Sequence, residues 1–544
     1  MNKSRKHLRS RWASALLVPL TVAATLPAGL RCAVRTPSRA VPAVVIAAPL
    51  GHPSARVHAR KNRALDKRID KILAASDARR GAWGMEVVDL GTGKLLYGRD
   101  ADQLFIPASN MKMFTTAAAL EELGPDYVFR TTVESDVEPD PQGHVVNLYL
   151  VGRGDPNLGT RIFPYRYHGP SQPAVKFLQD LADQVKARGI REITGKLVAD
   201  DRYFVWEPFA PDWAADDLEW GYGAPVTALA FNDNLLTLRV TPAAKPGDPA
   251  GVRLDPVPDY FKLQAAVVTS PAGTEKHYSV DRLPGSTQLD VWGQIPVDAG
   301  EDTDTVAIAN PPELMAELFE KALEAQGIAV KGQIAVRRST RLEAASSPAP
   351  PPATPPRIVV AEYVSPPLSE AIKPVNKESE NLHAEMLLRT LGRVLKNQGS
   401  LEDGLEALNE FDAQRVGILP GETYFSDGSG LSREDLVAPS AAVKLLVYMA
   451  HSPHFQAYFD SLPVSGVDGT LAHRLSSEQV KGRIHAKTGS VEHVNTLSGY
   501  MDAPSGKRLV FSIMANNHPL PNTAGQEVLD AITVEIYKQF AKRR

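Results

Sequence analysis

Ser109 and Lys112 stand three apart in Pro107-Ala108-Ser109-Asn110-Met111-Lys112, ahead of the run Met113-Phe114-Thr115-Thr116-Ala117-Ala118-Ala119-Leu120. No Gly or Pro interrupts that run before Gly124-Pro125, so it reads as a buried helix with Ser109 at its start. Residues three apart share a helix face, which brings the lysine amine to the serine hydroxyl. A serine hydroxyl is a weak nucleophile near neutral pH; a lysine can act as its base when burial disfavours the charged amine. Alone, the pair is better described as a helix cap followed by a solvated lysine. Two further groups, Ser379-Glu380-Asn381 and Lys487-Thr488-Gly489, change that reading. Each supplies a part that acyl transfer needs. Ser109 attacks and Lys112 takes its proton; Ser379 relays a proton to the leaving amine and Asn381 holds the substrate amide. Lys487 adds positive field and Thr488 binds a substrate carboxylate. Gly489 lets an acyl peptide lie close to its strand, and the backbone N–H groups of Ser109 and Ser490 form an oxyanion hole.

Ser109 and Ser379 are 270 positions apart, so the chain must leave the catalytic unit and return to it. Trp83–Leu90 and Leu95–Tyr97 flank Gly91-Thr92-Gly93-Lys94 as a hairpin. Leu497–Met501 and Leu509–Ala515 flank Ala503-Pro504-Ser505-Gly506 as another, and a last helix spans 523–540. Helices are expected over 64–75, 368–374, 379–395, 401–416 and 438–450. A sheet made from both ends of the chain and faced by helices fits this order. Between them, 181–198 and 318–335 echo each other, each an amphipathic helix ended by Gly and followed by a strand. The stretch 232–299 is strand-like, with frequent Pro and Gly.

The expected organisation is a catalytic domain in two pieces, 64–130 and 358–544, with an inserted domain over 131–231 and 300–340. A nested β-rich domain covers 232–299, and a proline-rich link covers 341–357, stiff and extended. Residues 1–30 read as a signal peptide: Lys3, Arg5, Lys6, Arg9 and Arg11 precede an apolar stretch broken by Pro19 and Pro27. A retained anchor with peripheral membrane association is the alternative. Residues 31–63 read as a disordered linker. The single cysteine, Cys32, follows Arg31 rather than a small residue, which argues against lipid attachment and leaves the mature domains without disulfides. A net charge of −3 with no basic block past the N-terminus argues against nucleic-acid binding.

The three groups in this order resemble the penicillin-binding proteins and serine β-lactamases. With the long insert, the chain is similar to the low-molecular-mass class C D-alanyl-D-alanine carboxypeptidase/endopeptidase family over about 64–540. Further runs carry the resemblance: Gly154-Asp155-Pro156-Asn157-Leu158, Ala199–Phe204, Tyr222–Leu229, Asp427–Arg433 and Gly466–Leu471. It implies an α/β (α+β) fold with a β-lactamase/transpeptidase-like catalytic domain, an antiparallel sheet flanked by helices, and two nested inserted domains. It implies a periplasmic enzyme acting on peptidoglycan stem peptides, β-lactams as covalent inhibitors, and neither metal nor cofactor. Asp200 matches a family position in the insert that faces the amine end of a stem peptide. Ser490 stands where the family usually has Thr and keeps the hydroxyl; the residues after it, Glu492-His493, are commonly smaller or uncharged in the family, and His493 reads as a surface residue. Gly428-Ser429-Gly430 reads as a tight turn, His451 and His454 as helix-end residues, and Trp206, Trp213 and Trp220 as packing residues. The competing functions are β-lactamase-like turnover, for which no second general base stands out, and a catalytically idle wall-binding scaffold.

Overall fold

The computed structural model describes residues 62–540 except 284 and 347–356. The expected signal peptide, Cys32, nearly all of the 31–63 linker and the proline run lie outside the described residues. The first part of the expected 341–357 link, however, is a short helix, Arg341–Ser346.

Five antiparallel strands form the catalytic sheet, in the spatial order Ile484–Val491, Val494–Asp502, Arg508–Asn516, Ala82–Asp89 and Lys94–Arg99. Its centre joins the two ends of the chain: Trp83 sits opposite Ala515 and Val87 opposite Phe511. Successive strand residues point to opposite faces, and both faces here are covered. Met85, Val87, Leu509, Phe511 and Ile513 pack with Leu65 and Ile69 of the helix Arg63–Ala74 and Leu529, Ile532 and Ile536 of the helix Asn522–Phe540. Val88, Val510 and Met514 face the other core, with Met111–Leu123 and Pro439–His451. Every residue from Met111 to Leu120 is buried, so this helix has no polar face to offer.

The insert has its own five-stranded sheet, ordered Ile334–Ser339, Leu197–Val205, Leu148–Val151, Arg130–Ser135 and Ile358–Val364. The two echoing helix–strand units meet in it: their strands run parallel, with Ile334 opposite Leu197. Two three-stranded sheets follow within the insert, one of Asp302–Ala307, Leu235–Thr241 and Gly251–Asp255, the other of Lys262–Ser270, Gln288–Pro296 and His277–Asp281.

Two boundaries differ from expectation, both because strand pairing is non-local. Asp302–Ala307 pairs with Leu235–Thr241, which carries the nested β region past 299. Ile358–Val364 pairs with Arg130–Ser135, so this strand belongs to the insert, and the catalytic half resumes at the helix Leu368–Lys377. Among the described residues, no helix is long and apolar enough to cross a membrane.

Candidate active site

The chain enters its buried helix through one 3-10 turn, Ala108–Asn110, so Ser109 sits in a tight turn just ahead of the α-helix. That turn is stitched to the sheet: Asn110 Nδ2 donates to Ser498 Oγ (2.7 Å) and Thr496 Oγ1 to the Pro107 carbonyl (2.8 Å). Lys112, in the first helical turn, is fully buried. Its Nζ donates to Ser109 Oγ (2.9 Å), Asn381 Oδ1 (2.6 Å) and the Ser429 carbonyl oxygen (2.6 Å). An ammonium carries three protons, and here each has one acceptor. All three acceptors are uncharged. Burial consequently lowers the Lys112 pKa from 10.5 to about 8, against the opposing pull of Asp427, Glu380, Glu385 and Asp435. Loss of the proton directed at Ser109 leaves N–H groups for Asn381 and Ser429 and turns a lone pair toward the serine hydroxyl.

Lys487 is the second fully buried lysine. Its Nζ donates to Ser379 Oγ and to the Thr488 carbonyl, both at 2.9 Å. Burial, and then the charge of Lys112, hold its pKa well below the usual lysine value. The structure thus gathers the five residues into two neighbouring hydrogen-bonded groups, Ser109 and Asn381 on Lys112 and Ser379 on Lys487, close enough that one lysine's charge acts on the other, with Thr488 and Gly489 alongside. Thr488 Oγ1 lies 2.7 Å from Thr470 Oγ1, which links the Gly466–Leu471 run to this strand. Ser490 is exposed at the strand end, where its hydroxyl accepts from Asn495 Nδ2 (2.9 Å) and Gln526 Nε2 (3.1 Å). Gly489 departs from expectation. A Cβ there would lie 2.2 Å from Thr496 Oγ1, 2.7 Å from the Pro107 oxygen and 3.0 Å from the Ser109 nitrogen. The missing side chain makes room for the turn that carries Ser109.

The Asp427–Ser432 segment supplies a site group that no side-chain pattern announces, the Ser429 carbonyl. Asp427 Oδ1 accepts from the backbone N–H of Ser429 (2.9 Å) and Gly430 (2.6 Å), while Oδ2 accepts from Ser432 N (2.8 Å) and Trp213 Nε1 (3.0 Å). Gly428 N donates to Glu385 Oε1 (2.8 Å), and a Cβ on Gly430 would lie 1.9 Å from the Ala108 oxygen. Gly428-Ser429-Gly430 is a tight turn, and its tightness points the Ser429 oxygen at Lys112. The available signal was Asp two residues before Ser, an arrangement that lets a carboxylate gather backbone N–H groups.

Asp200 is a correction. It is buried in the insert's sheet, with Oδ1 and Oδ2 each accepting from Arg202 at 2.7 Å and Oδ2 from Arg357 Nη1 at 3.2 Å. The two guanidiniums hold its carboxyl below the usual range against the effect of burial. Both of its oxygens are already engaged by guanidiniums within the insert. Asp217 is tied to the cluster through Tyr222: Tyr222 Oη donates to Asp217 Oδ1 (3.0 Å), and the Tyr222 carbonyl accepts from Asn381 Nδ2 (2.8 Å). Among the tryptophans, Trp213 is buried, Trp206 lies under the Arg338 guanidinium at 3.8 Å, and Trp220 packs against the insert's core. His493 is half-exposed, and His451 ends its helix.

Known proteins resemble this chain over most of its length. A D-alanyl-D-alanine carboxypeptidase of Actinomadura sp. (strain R39) is 37% identical over 483 residues, which span 87% of this chain and 84% of that protein. The crystal structure of penicillin binding protein 4 from Haemophilus influenzae superposes with a TM-score of 0.72 at 23% identity, covering 87% of this chain and 99% of that one. A second structure of that protein, complexed with a β-lactam, gives a TM-score of 0.68 at 21% identity and covers 88% of this chain and all of that one. At these identities the superpositions speak for the fold, a β-lactamase/transpeptidase-like unit with an insert. The D-Ala-D-Ala carboxypeptidase 3 (S13) family model matches residues 65–538. The chain belongs to that family, and is a serine-type carboxypeptidase of the class its three motifs resemble.

Proposed function

We propose that this carboxypeptidase cleaves the terminal D-Ala-D-Ala bond of peptidoglycan stem peptides through an ester on Ser109, and that β-lactams acylate the same oxygen. The observation that carries the reading is the Lys112 amine, buried among three uncharged acceptors of which one is the Ser109 hydroxyl. In the acylation step the Ser109 proton passes to the neutral Lys112 amine while Oγ bonds to the penultimate D-Ala carbonyl carbon. The carbonyl oxygen takes the negative charge beside the backbone N–H groups of Ser109 and Ser490. The C–N bond then breaks, its electron pair goes to the terminal D-Ala nitrogen, and the Ser379 hydroxyl relays the proton. Lys487, 2.9 Å from Ser379 Oγ, supports that relay. Thr488 takes the substrate carboxylate, Asn381 the backbone amide, and Asp217, rather than Asp200, the amine end of the stem. Water then hydrolyses the ester.

Export to the periplasm, peripheral contact with the membrane and cleavage of cross-links are parts of the same proposal. The N-terminal pattern of basic residues before an apolar stretch supports the first. The test is intact-protein mass spectrometry after exposure to benzylpenicillin, followed by peptide mapping. One adduct on Ser109, lost in Ser109→Ala, is the expected result. Folded protein that takes up no adduct at Ser109 overturns the reading.

A further inference from the structure

The insert reaches the catalytic cluster through charge. Ser379 has φ +67°, in the left-handed region that a residue with a Cβ adopts only when its surroundings impose it. The residues around it are held from two directions. On the catalytic side, Lys377 Nζ donates to Asp468 Oδ2 (2.6 Å) and to the Leu462 carbonyl (2.9 Å). On the insert side, Glu378 accepts from Arg161 Nη2 (2.5 Å), Arg161 Nε (3.1 Å) and Tyr165 Oη (2.8 Å). The same guanidinium lies 3.9 Å from Glu380 and donates from Nη1 to both oxygens of Asp233, at 2.7 and 2.6 Å. Asp233 in turn pairs with Nε2 of the fully buried His383 (2.9 Å), two residues past Asn381.

The insert builds this contact deliberately. Asn232, Asp233 and Asn234 take φ values of +49°, +56° and +53°, and Asn234 pins the bend by accepting from Phe231 N (2.9 Å) and donating to the Pro225 carbonyl (2.8 Å). Short amide and carboxylate residues tolerate that conformation best. One guanidinium thereby faces three carboxylates, two of which bracket Ser379 in sequence. Without it, Glu378, Glu380 and Asp233 would repel one another across the bend.

We propose that Arg161 and Asp233 of the insert are positioning residues for Ser379 and Asn381, holding the 377–381 bend so that both side chains meet the two buried lysines. This assigns part of the insert a task in the reaction, and it rests on the acyl-enzyme reading above. Neither residue touches the reacting atoms, and neither belongs to the insert's apolar core, so loss of the guanidinium spares that core.

The test follows acylation by a fluorescent penicillin in stopped flow, with the rate constant of acylation separated from the saturation constant, alongside thermal unfolding. Arg161→Met is expected to lower the acylation rate constant about 10- to 100-fold while the saturation constant moves by less than about threefold. Arg161→Lys, which keeps a charge but loses the fork, falls between them. In the Ser379→Ala background, Arg161→Met is expected to cost at least about threefold less than in the wild-type background, because the part of its effect that runs through Ser379 is already gone and only the part through Asn381 remains. Acylation within about threefold of wild type in Arg161→Met, or an undiminished cost in the Ser379→Ala background, overturns the proposal. If Arg161→Met does not fold, Tyr165→Phe decides: a fall of about two- to fivefold that shrinks in the Ser379→Ala background supports it, and no change, or an undiminished fall in that background, rejects it. Wild-type protein that forms no Ser109 adduct would instead sink the acyl-enzyme reading itself.

Discussion

Lys112 and Asp200 are both buried charged residues with three hydrogen bonds, yet their surroundings set opposite behaviour. The lysine meets a hydroxyl, an amide oxygen and a peptide oxygen. The aspartate meets two guanidiniums. Neutral partners satisfy geometry without cancelling charge, so burial dominates and the lysine sits within reach of its neutral form. Opposite charges cancel, so the aspartate is locked in its ionised form. The first arrangement stores reactivity at some cost in stability; the second holds a sheet together.

The largest effect that would break this comparison is at Lys112. Lys112→Arg keeps the charge but cannot give up its proton, and is expected to slow acylation about 1,000-fold. Measured penicillin acylation within tenfold of wild type would remove Lys112 as the base. The pH dependence sharpens the point. With a pKa near 8, acylation should rise about tenfold per pH unit below that value and level off above it. The stability sign follows from the same depression. The unfolded chain binds the extra proton between pH 8 and 10.5, so stability rises with pH across that window. Below it, the buried ammonium costs roughly 3 kcal/mol. A flat acylation profile between pH 6 and 9 would contradict the assignment.

Asp200→Asn is the opposite experiment. Removing one member of a buried pair should cost roughly 3 kcal/mol in urea unfolding, while acylation stays within about threefold of wild type. A hundredfold loss of acylation without loss of stability would return Asp200 to the site. The smallest expected effect is at Thr470→Val, which deprives the Thr488 hydroxyl of its partner. It should raise KM for a peptide with a free terminal carboxylate about two- to fivefold and leave kcat nearly unchanged.

The elements that hold the site were legible where the signal is local. The strand hairpins, the apolar run behind Lys112 and the Gly-ended helices follow from short-range pattern, and the three motifs from residue type and spacing. What escaped depends on partners far along the chain. Residues 358–364 fall in the expected catalytic half, and only the pairing of Ile358–Val364 with Arg130–Ser135 assigns that strand to the insert. The Ser429 oxygen belongs to the backbone, which every residue shares. Gly489 is a matter of which neighbour needs the space. Asp200 is different, because part of its explanation was in view: Arg202 lies two residues on, and residues two apart on a strand share a face.

The pairing of Ala82–Asp89 with Arg508–Asn516 has a consequence for biosynthesis. A ribosome that has finished the insert has already made Ser109 and Lys112, but not the Asn381 oxygen, the Ser429 carbonyl or the strand that carries Lys487. The nascent chain therefore lacks the assembled cluster, and the Ala82–Asp89 strand presents an open edge until translation nears its end. Switching on the hydrolase is the last act of making it, so a truncated product would be a sticky bystander rather than an unregulated cutter of the wall.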